Sequence, residues 1–209
     1  MLFLDELPEF DRDVLEALRE PLEEGCVAIT RVGRATVFPA KFQLVAAMNP
    51  CPCGQAGSQT ERCRCEAGAA ARYARRISGP LRDRIDLWVE MSRVAPADLV
   101  SAQAPESSAI VAARILEARG RQVARLASNG RLTGRHLLSA ALMTRETRHR
   151  LVALADMEAL SARGTERLLR VGRTIADLAR APTILTEHLE EAARFRSPAR
   201  RMADRQMSA

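Results

Sequence analysis

Met1-Leu2-Phe3-Leu4-Asp5-Glu6 opens the chain with three apolar residues running into two adjacent carboxylates. A short continuous apolar run predicts a strand buried on both faces. Acids at the carboxyl end of such a strand sit where an open α/β sheet keeps its ligand crevice. Asp5 there offers an oxygen to a Mg²⁺ ion, and Glu6 can orient or polarise a water. The bland reading of so common a string is a strand end followed by solvated acids. The residues that follow favour the first reading.

Asp11 is placed to cap a helix whose apolar positions Val14, Leu15, Leu18 and Leu22 recur at helical spacing. Pro21 bends or restarts that helix and Gly25 ends it. Val27 to Phe38 alternates apolar and polar positions around a glycine-bearing turn, which predicts a hairpin with Arg31 and Arg34 at its tip. Leu44 to Met48 predicts a second buried strand ending on Asn49-Pro50, so that Asn49 can reach the same crevice as Asp5 and Glu6. For Asn49 the plainer role is a turn-former before proline. After Ser78-Gly79-Pro80-Leu81-Arg82-Asp83-Arg84, alternation of Ile85, Leu87, Val89 and Met91 predicts another strand.

From Val94 the character changes. Pro96, Pro105 and Ser107-Ser108 mark a linker, and an Ala- and Leu-rich, arginine-bearing remainder predicts helices near 109–126, 136–142, 145–155, 162–179 and 187–195. Arg200 to Ala209 reads as a frayed tail. The fold class is therefore α/β followed by an all-α part, with domains 1–93 and 94–209.

Composition narrows the function classes. With 47% hydrophobic and 28% charged residues the chain can fill a soluble core. Its net charge of +6 favours polyanionic partners such as nucleic acid or nucleotide, while 3% aromatic content argues against a base-stacking platform. No stretch approaches the ~18 apolar residues of a membrane span, and the N-terminus lacks the pattern of a signal peptide. A cytoplasmic location follows by default.

Four of the five cysteines cluster as Cys51-x-Cys53-x₉-Cys63-x-Cys65. They supply enough soft ligands for a closed tetrahedral zinc site, though each pair is tighter than the usual two-residue gap. Two pairs of reduced surface thiols are the alternative. Cys26 reads as a small buried apolar residue, and His136, His149 and His188 as surface residues.

Taken in order, Leu2-Phe-Leu-Asp5-Glu6-Leu-Pro-Glu-Phe10, Phe38 to Gly54 with its Ala-Ala-Met-Asn49-Pro-Cys-Pro-Cys-Gly, Ile77 to Leu87 with Arg84, and Leu160 to Ala179 with Arg163 resemble the Mg-chelatase-like AAA+ ATPases, in their ComM-like branch of competence proteins. The resemblance implies a P-loop triphosphatase core from its Walker B strand onward and a helical lid. It implies hexameric rings that use ATP and Mg²⁺, with ComM-like members acting as DNA branch-migration motors in natural transformation. Carried over, Asp5 and Glu6 match the Walker B magnesium and water residues, and Asn49 matches sensor 1. Arg84 matches the arginine finger, which in such enzymes contributes ~10³–10⁵ in rate. Arg163 matches sensor 2, with Arg167 and Arg170 on the same helical stripe as substitutes. Arg173 falls on another side and reads as surface. Arg31 sits where related helicases place a DNA-contacting basic residue, on the hairpin before sensor 1.

None of the eleven glycines stands in Gly-Lys-Ser/Thr context, whereas a triphosphatase of this kind needs that loop to cradle phosphates. The expectation is a C-terminal half of the family's architecture, from an internal start or a truncated gene, with the polypeptide alone inactive. Two other readings stay open: a non-catalytic, zinc-stabilised nucleic-acid- or protein-binding piece, and the ATPase subunit of a magnesium chelatase.

Overall fold

The computed structural model describes residues 1–57, 62–91, 94, 96, 100, 106–125 and 128–196. The tail expected at Arg200–Ala209 and Pro105 of the linker lie outside them. Within residues 1–200 the chain forms two compact units, Met1–Ile85 and Asp86–Arg200.

In the first unit β1 (Leu2–Leu4) pairs in parallel with β4 (Leu44–Ala46), Leu2 opposite Leu44 and Leu4 opposite Ala46. The expected burial of β1 on both faces does not hold: Leu2 and Leu4 are half-buried, but Phe3 is 57% exposed. Alternation along the strand turns Phe3 and its partner Val45 to the other face, and β4 is the one strand paired with β1 among the described residues. Between these strands run α1 (Arg12–Ala17) and α2 (Arg19–Glu24), then the antiparallel hairpin β2 (Cys26–Arg31) and β3 (Arg34–Pro39). Asp11 does hold the N-cap position of α1, but without a side-chain capping bond. The helix restarts at Leu18, just ahead of Pro21, and Gly25 closes α2 at φ 67, the left-handed cap that glycine adopts without strain. Cys26 is half-buried. The short helices α3 (Ala69–Ala74) and α4 (Gly79–Arg82) follow the cysteines and contribute Tyr73 and Leu81 to the buried residues of this unit, with Leu7, Leu15, Cys51 and Ile77.

No strand forms over Ile85–Met91, contrary to the alternation there. Leu87, Val89 and Met91 are 51%, 63% and 84% exposed, so no apolar face is covered to reward an extended pairing. From Asp86 the segment is instead part of the second unit: Trp88 N–H donates to the Phe195 carbonyl at 2.9 Å, and Asp86 pairs with Arg167 at 2.6 Å.

That second unit contains the helices α5 (Ser108–Ala124), α6 (Gly134–Ala141), α7 (Arg145–Met157), α8 (Ala162–Leu178) and α9 (Thr186–Arg194). Ser107, Thr144 and Ser161 cap α5, α7 and α8 by accepting the backbone N–H three residues on. The core is Leu137, Ala141, Leu154, Leu168, Leu169, Ala176, Ile184, Leu189 and their neighbours. Gly172 lets α9 approach α8: a methyl there would stand 3.0 Å from Leu189 Cδ2. Among the described residues no helix is long and apolar enough to cross a membrane.

Candidate functional site

The parallel register of β1 and β4 decides where the acids go. Hydrogen bonds from Ala47 N to the Leu4 carbonyl and from Leu7 N to the Ala47 carbonyl, both 2.9 Å, carry the pairing past the strands. Asp5 and Glu6 therefore leave β1 at the same carboxyl edge where Asn49 leaves β4, and all three are exposed. Glu6 adopts φ 49, ψ 45, a left-handed conformation that costs a non-glycine residue roughly 1–2 kcal/mol. Its N–H donates to Asp5 Oδ1 at 2.9 Å, a local bond that orients the exposed Asp5 carboxylate. The edge is acidic, oxygen-rich and wet, a donor set suited to a hard cation.

Arg84 follows α4, whose first turn is capped by Ser78 Oγ. Its side chain is 9% exposed, pairs with Glu23 of α2 at 2.5 Å and donates to the Pro80 carbonyl at 2.8 Å. In the second unit the three arginines of the α8 stripe separate by environment. Arg167 is buried on Asp86; Arg170 donates to the Leu132 carbonyl at 2.7 Å and pairs with Glu166; Arg163, in the first turn, is exposed.

The cysteines converge. Sγ atoms of Cys51, Cys53, Cys63 and Cys65 all lie within 4.8 Å of one another, with Cys51–Cys53 at 3.4 Å, Cys53–Cys63 at 3.5 Å and Cys51–Cys63 at 3.7 Å. A tetrahedron of sulfurs about 2.3 Å from zinc has edges of about 3.8 Å. Backbone amides surround the sulfurs: Ala56 N–H donates to Cys51 Sγ at 3.3 Å. Those of Gln55 and Arg64 bring the Cys53 thiol down to about 6. Cys65 is pushed up to about 12: the Cys53 amide lowers it, but the Cys53 thiol, burial and the other two sulfurs together outweigh that. Gly54 turns the first pair at φ 76, and a methyl on it would meet Asn49 Oδ1 at 3.9 Å, so this loop folds beside Asn49.

At the hairpin tip Arg31 and Arg34 are directly opposite one another and exposed, across a two-residue turn of Val32 and Gly33. No carboxylate occurs between Cys26 and Gln43.

Two assignments are corrected. Arg173 is no surface residue but fully buried: it donates to Asp177 Oδ1 at 3.1 Å and to the carbonyls of Ala181 and Pro182 at 2.6 and 3.0 Å. Asp177, also fully buried, further accepts from Arg125 at 2.5 Å and from Asn129 at 2.8 Å. The i, i+4 spacing of Arg173 and Asp177 was the available signal, and helical periodicity alone could not say that both face inward. His188 is 4% exposed, not a surface residue, and its Nδ1 accepts from Leu185 N at 3.0 Å, closing the start of α9.

A mixed α/β unit with acids at a parallel strand edge, followed by a helical unit, thus describes the class. Two family models, "Magnesium chelatase, subunit ChlI" over residues 1–99 and "Magnesium chelatase, subunit ChlI C-terminal" over residues 105–196, match consecutively, and the chain belongs to this family. Among curated relatives it is 42% identical over 199 residues to the uncharacterised protein YifB of Salmonella typhimurium, covering 94% of this chain and 39% of that protein. It is 39% identical over 202 residues to competence protein ComM of Haemophilus influenzae, covering 96% and 39%. An uncharacterised protein of Mycobacterium tuberculosis is 41% identical over 185 residues, covering 86% and 36%. The chain therefore spans about two fifths of the length of these relatives.

Proposed function

We propose that this chain is the Walker B-to-lid portion of an AAA+ ATP-dependent DNA motor of the ComM type, acting as a homo-hexameric ring in the cytoplasm. The observation that carries this reading is the common edge of β1 and β4, where Asp5, Glu6 and Asn49 emerge together. Asp5 would hold Mg²⁺, which supplies charge neutralisation to ATP when bound. Glu6 orients the attacking water, and Asn49 contacts that water or the γ-phosphate. Arg84 swings from Glu23 to a neighbouring subunit's nucleotide, and Arg163 reaches the phosphates from the lid. Phosphoryl transfer depends on placed charge more than on covalent chemistry, which suits this set. The four-cysteine centre holds one structural zinc, and it favours the ComM-like reading over the chelatase subunit.

The 209-residue polypeptide by itself is expected to release phosphate from Mg-ATP at background rate. No glycine in it precedes Lys-Ser/Thr, and its single lysine, Lys41, precedes Phe42. In a chimera where these residues replace the matching part of the Haemophilus relative, turnover should appear and fall about 10²-fold or more with Glu6→Gln. A chimera whose turnover ignores Glu6→Gln would defeat the assignment.

DNA contact is assigned to Arg31 and Arg34. Binding to random duplex should be weak and salt-dependent, and replacing both by alanine should flatten the log–log salt slope by roughly 1.8, the value for two phosphates of a duplex. An unchanged slope in a fluorescence-anisotropy titration would remove the hairpin from the DNA path.

A further inference from the structure

The hairpin tip breaks two local rules at once. The turn between Arg31 and Arg34 has two central residues, Val32 at φ 48 and Gly33 at φ 73. Positive φ at both is the type I′ geometry, whose first position calls for Asn, Asp or Gly. A β-branched residue there is a steric outlier, because its second γ-carbon crowds the backbone. Val32 gains nothing from burial in exchange, being 95% exposed. The flanking pair is also unfavourable: Arg31 and Arg34 are directly opposite in the ladder, where like charges repel. Local misfits of this kind concentrate where a ligand, not the fold, selects the residue. The ligand that relieves the arginine repulsion is a polyanion. A small apolar group standing between two cations matches the open end of a duplex, where base faces are exposed between two phosphate strands.

We propose that Val32 is an apolar wedge that seats against unstacked bases at a junction in DNA, with Arg31 and Arg34 on the phosphates to either side. The inference rests on the DNA-contacting reading of the hairpin and adds to it a preference for opened over continuous duplex. Apolar side chains inserted at base steps act this way in architectural proteins that kink DNA. Here the strained turn holds the side chain outward, free of any competing contact within its own hairpin.

The test uses the 209-residue chain with forked and blunt duplexes at low salt, 2-aminopurine placed at the fork. Wild type should prefer the fork and raise the 2-aminopurine fluorescence on binding. Val32→Asn places the residue the turn prefers, so its thermal midpoint should be equal or higher, excluding unfolding as the cause of any loss. Its preference for fork over duplex should drop roughly tenfold, the worth of one buried valine side chain, and the fluorescence rise should vanish. Val32→Ile should keep both. Fork preference and fluorescence retained in Val32→Asn would overturn the wedge while leaving the arginine contacts standing. Absence of any salt-sensitive binding by wild type would overturn both readings.

Discussion

Chain purified without added metal is expected to carry about one equivalent of zinc, and stripping that zinc should be the most disruptive change available to the first unit. The four sulfurs lie within 4.8 Å of one another, close enough to ligate one ion, and the Ala56 backbone N–H already donates to Cys51. Cys51 is fully buried, whereas Cys53 and Cys63 are exposed, so the loop wraps a sulfur cluster with little apolar core of its own. Zinc bound by thiolates in such a loop contributes ~10–16 kcal/mol of apparent binding energy, much of it folding energy. Elemental analysis gives the stoichiometry, and cobalt exchange should give the visible bands of a four-sulfur tetrahedral ion. Cys51→Ser should lose the metal and the dispersed amide signals of residues 51–65. A well-dispersed loop in metal-free protein would refute the centre and leave two pairs of reduced thiols. Because Gly54 packs beside Asn49, the same spectra should show the Asn49 side-chain amide moving when metal leaves.

Asp177→Ala is expected to destabilise the second unit by about 3–5 kcal/mol, the usual result of stranding a buried charge. Asp177 is the only carboxylate facing the fully buried Arg173 guanidinium among the described ion pairs, and it also anchors Arg125 and Asn129. Burial already lowers the Arg173 pKa, with Asp177 opposing that shift, so the pair stands on mutual compensation. The bonds join the end of α5 to α8, and Arg121 adds one to the Asp177 carbonyl at 3.1 Å. Denaturant unfolding followed by the single tryptophan, Trp88, reports this unit directly through its tie to Phe195. Arg180→Ala is the control: its pair with Glu117 is 70% and 49% exposed, and exposed pairs contribute ~0–1 kcal/mol. A midpoint for Asp177→Ala as close to wild type as that control's would mean Arg173 finds water or another anion.

Much of this could be read residue by residue. Apolar spacing located α5 to α9 to within a few residues, and the glycine-bearing turn located the hairpin, because both signals span only a few positions. The order of Asp5-Glu6, Asn49, the cysteines and Arg84 carried the family resemblance, which needs no coordinates. Tertiary structure alone decided what depends on distant partners. Alternation over Ile85–Met91 is real, but a strand forms only against another strand, and here a helix end and Arg167 take the segment. Arg163 and Arg173 stand ten positions apart on one helix, yet one is exposed and the other buried. Helical phase separates their faces, but only the Asp177 carboxylate and the Ala181 and Pro182 carbonyls, brought around Arg173 by the fold, can compensate a guanidinium removed from water. The four sulfurs likewise have a spacing in sequence and a geometry only in the fold, because a nine-residue loop can close or splay according to what its backbone amides find to bond.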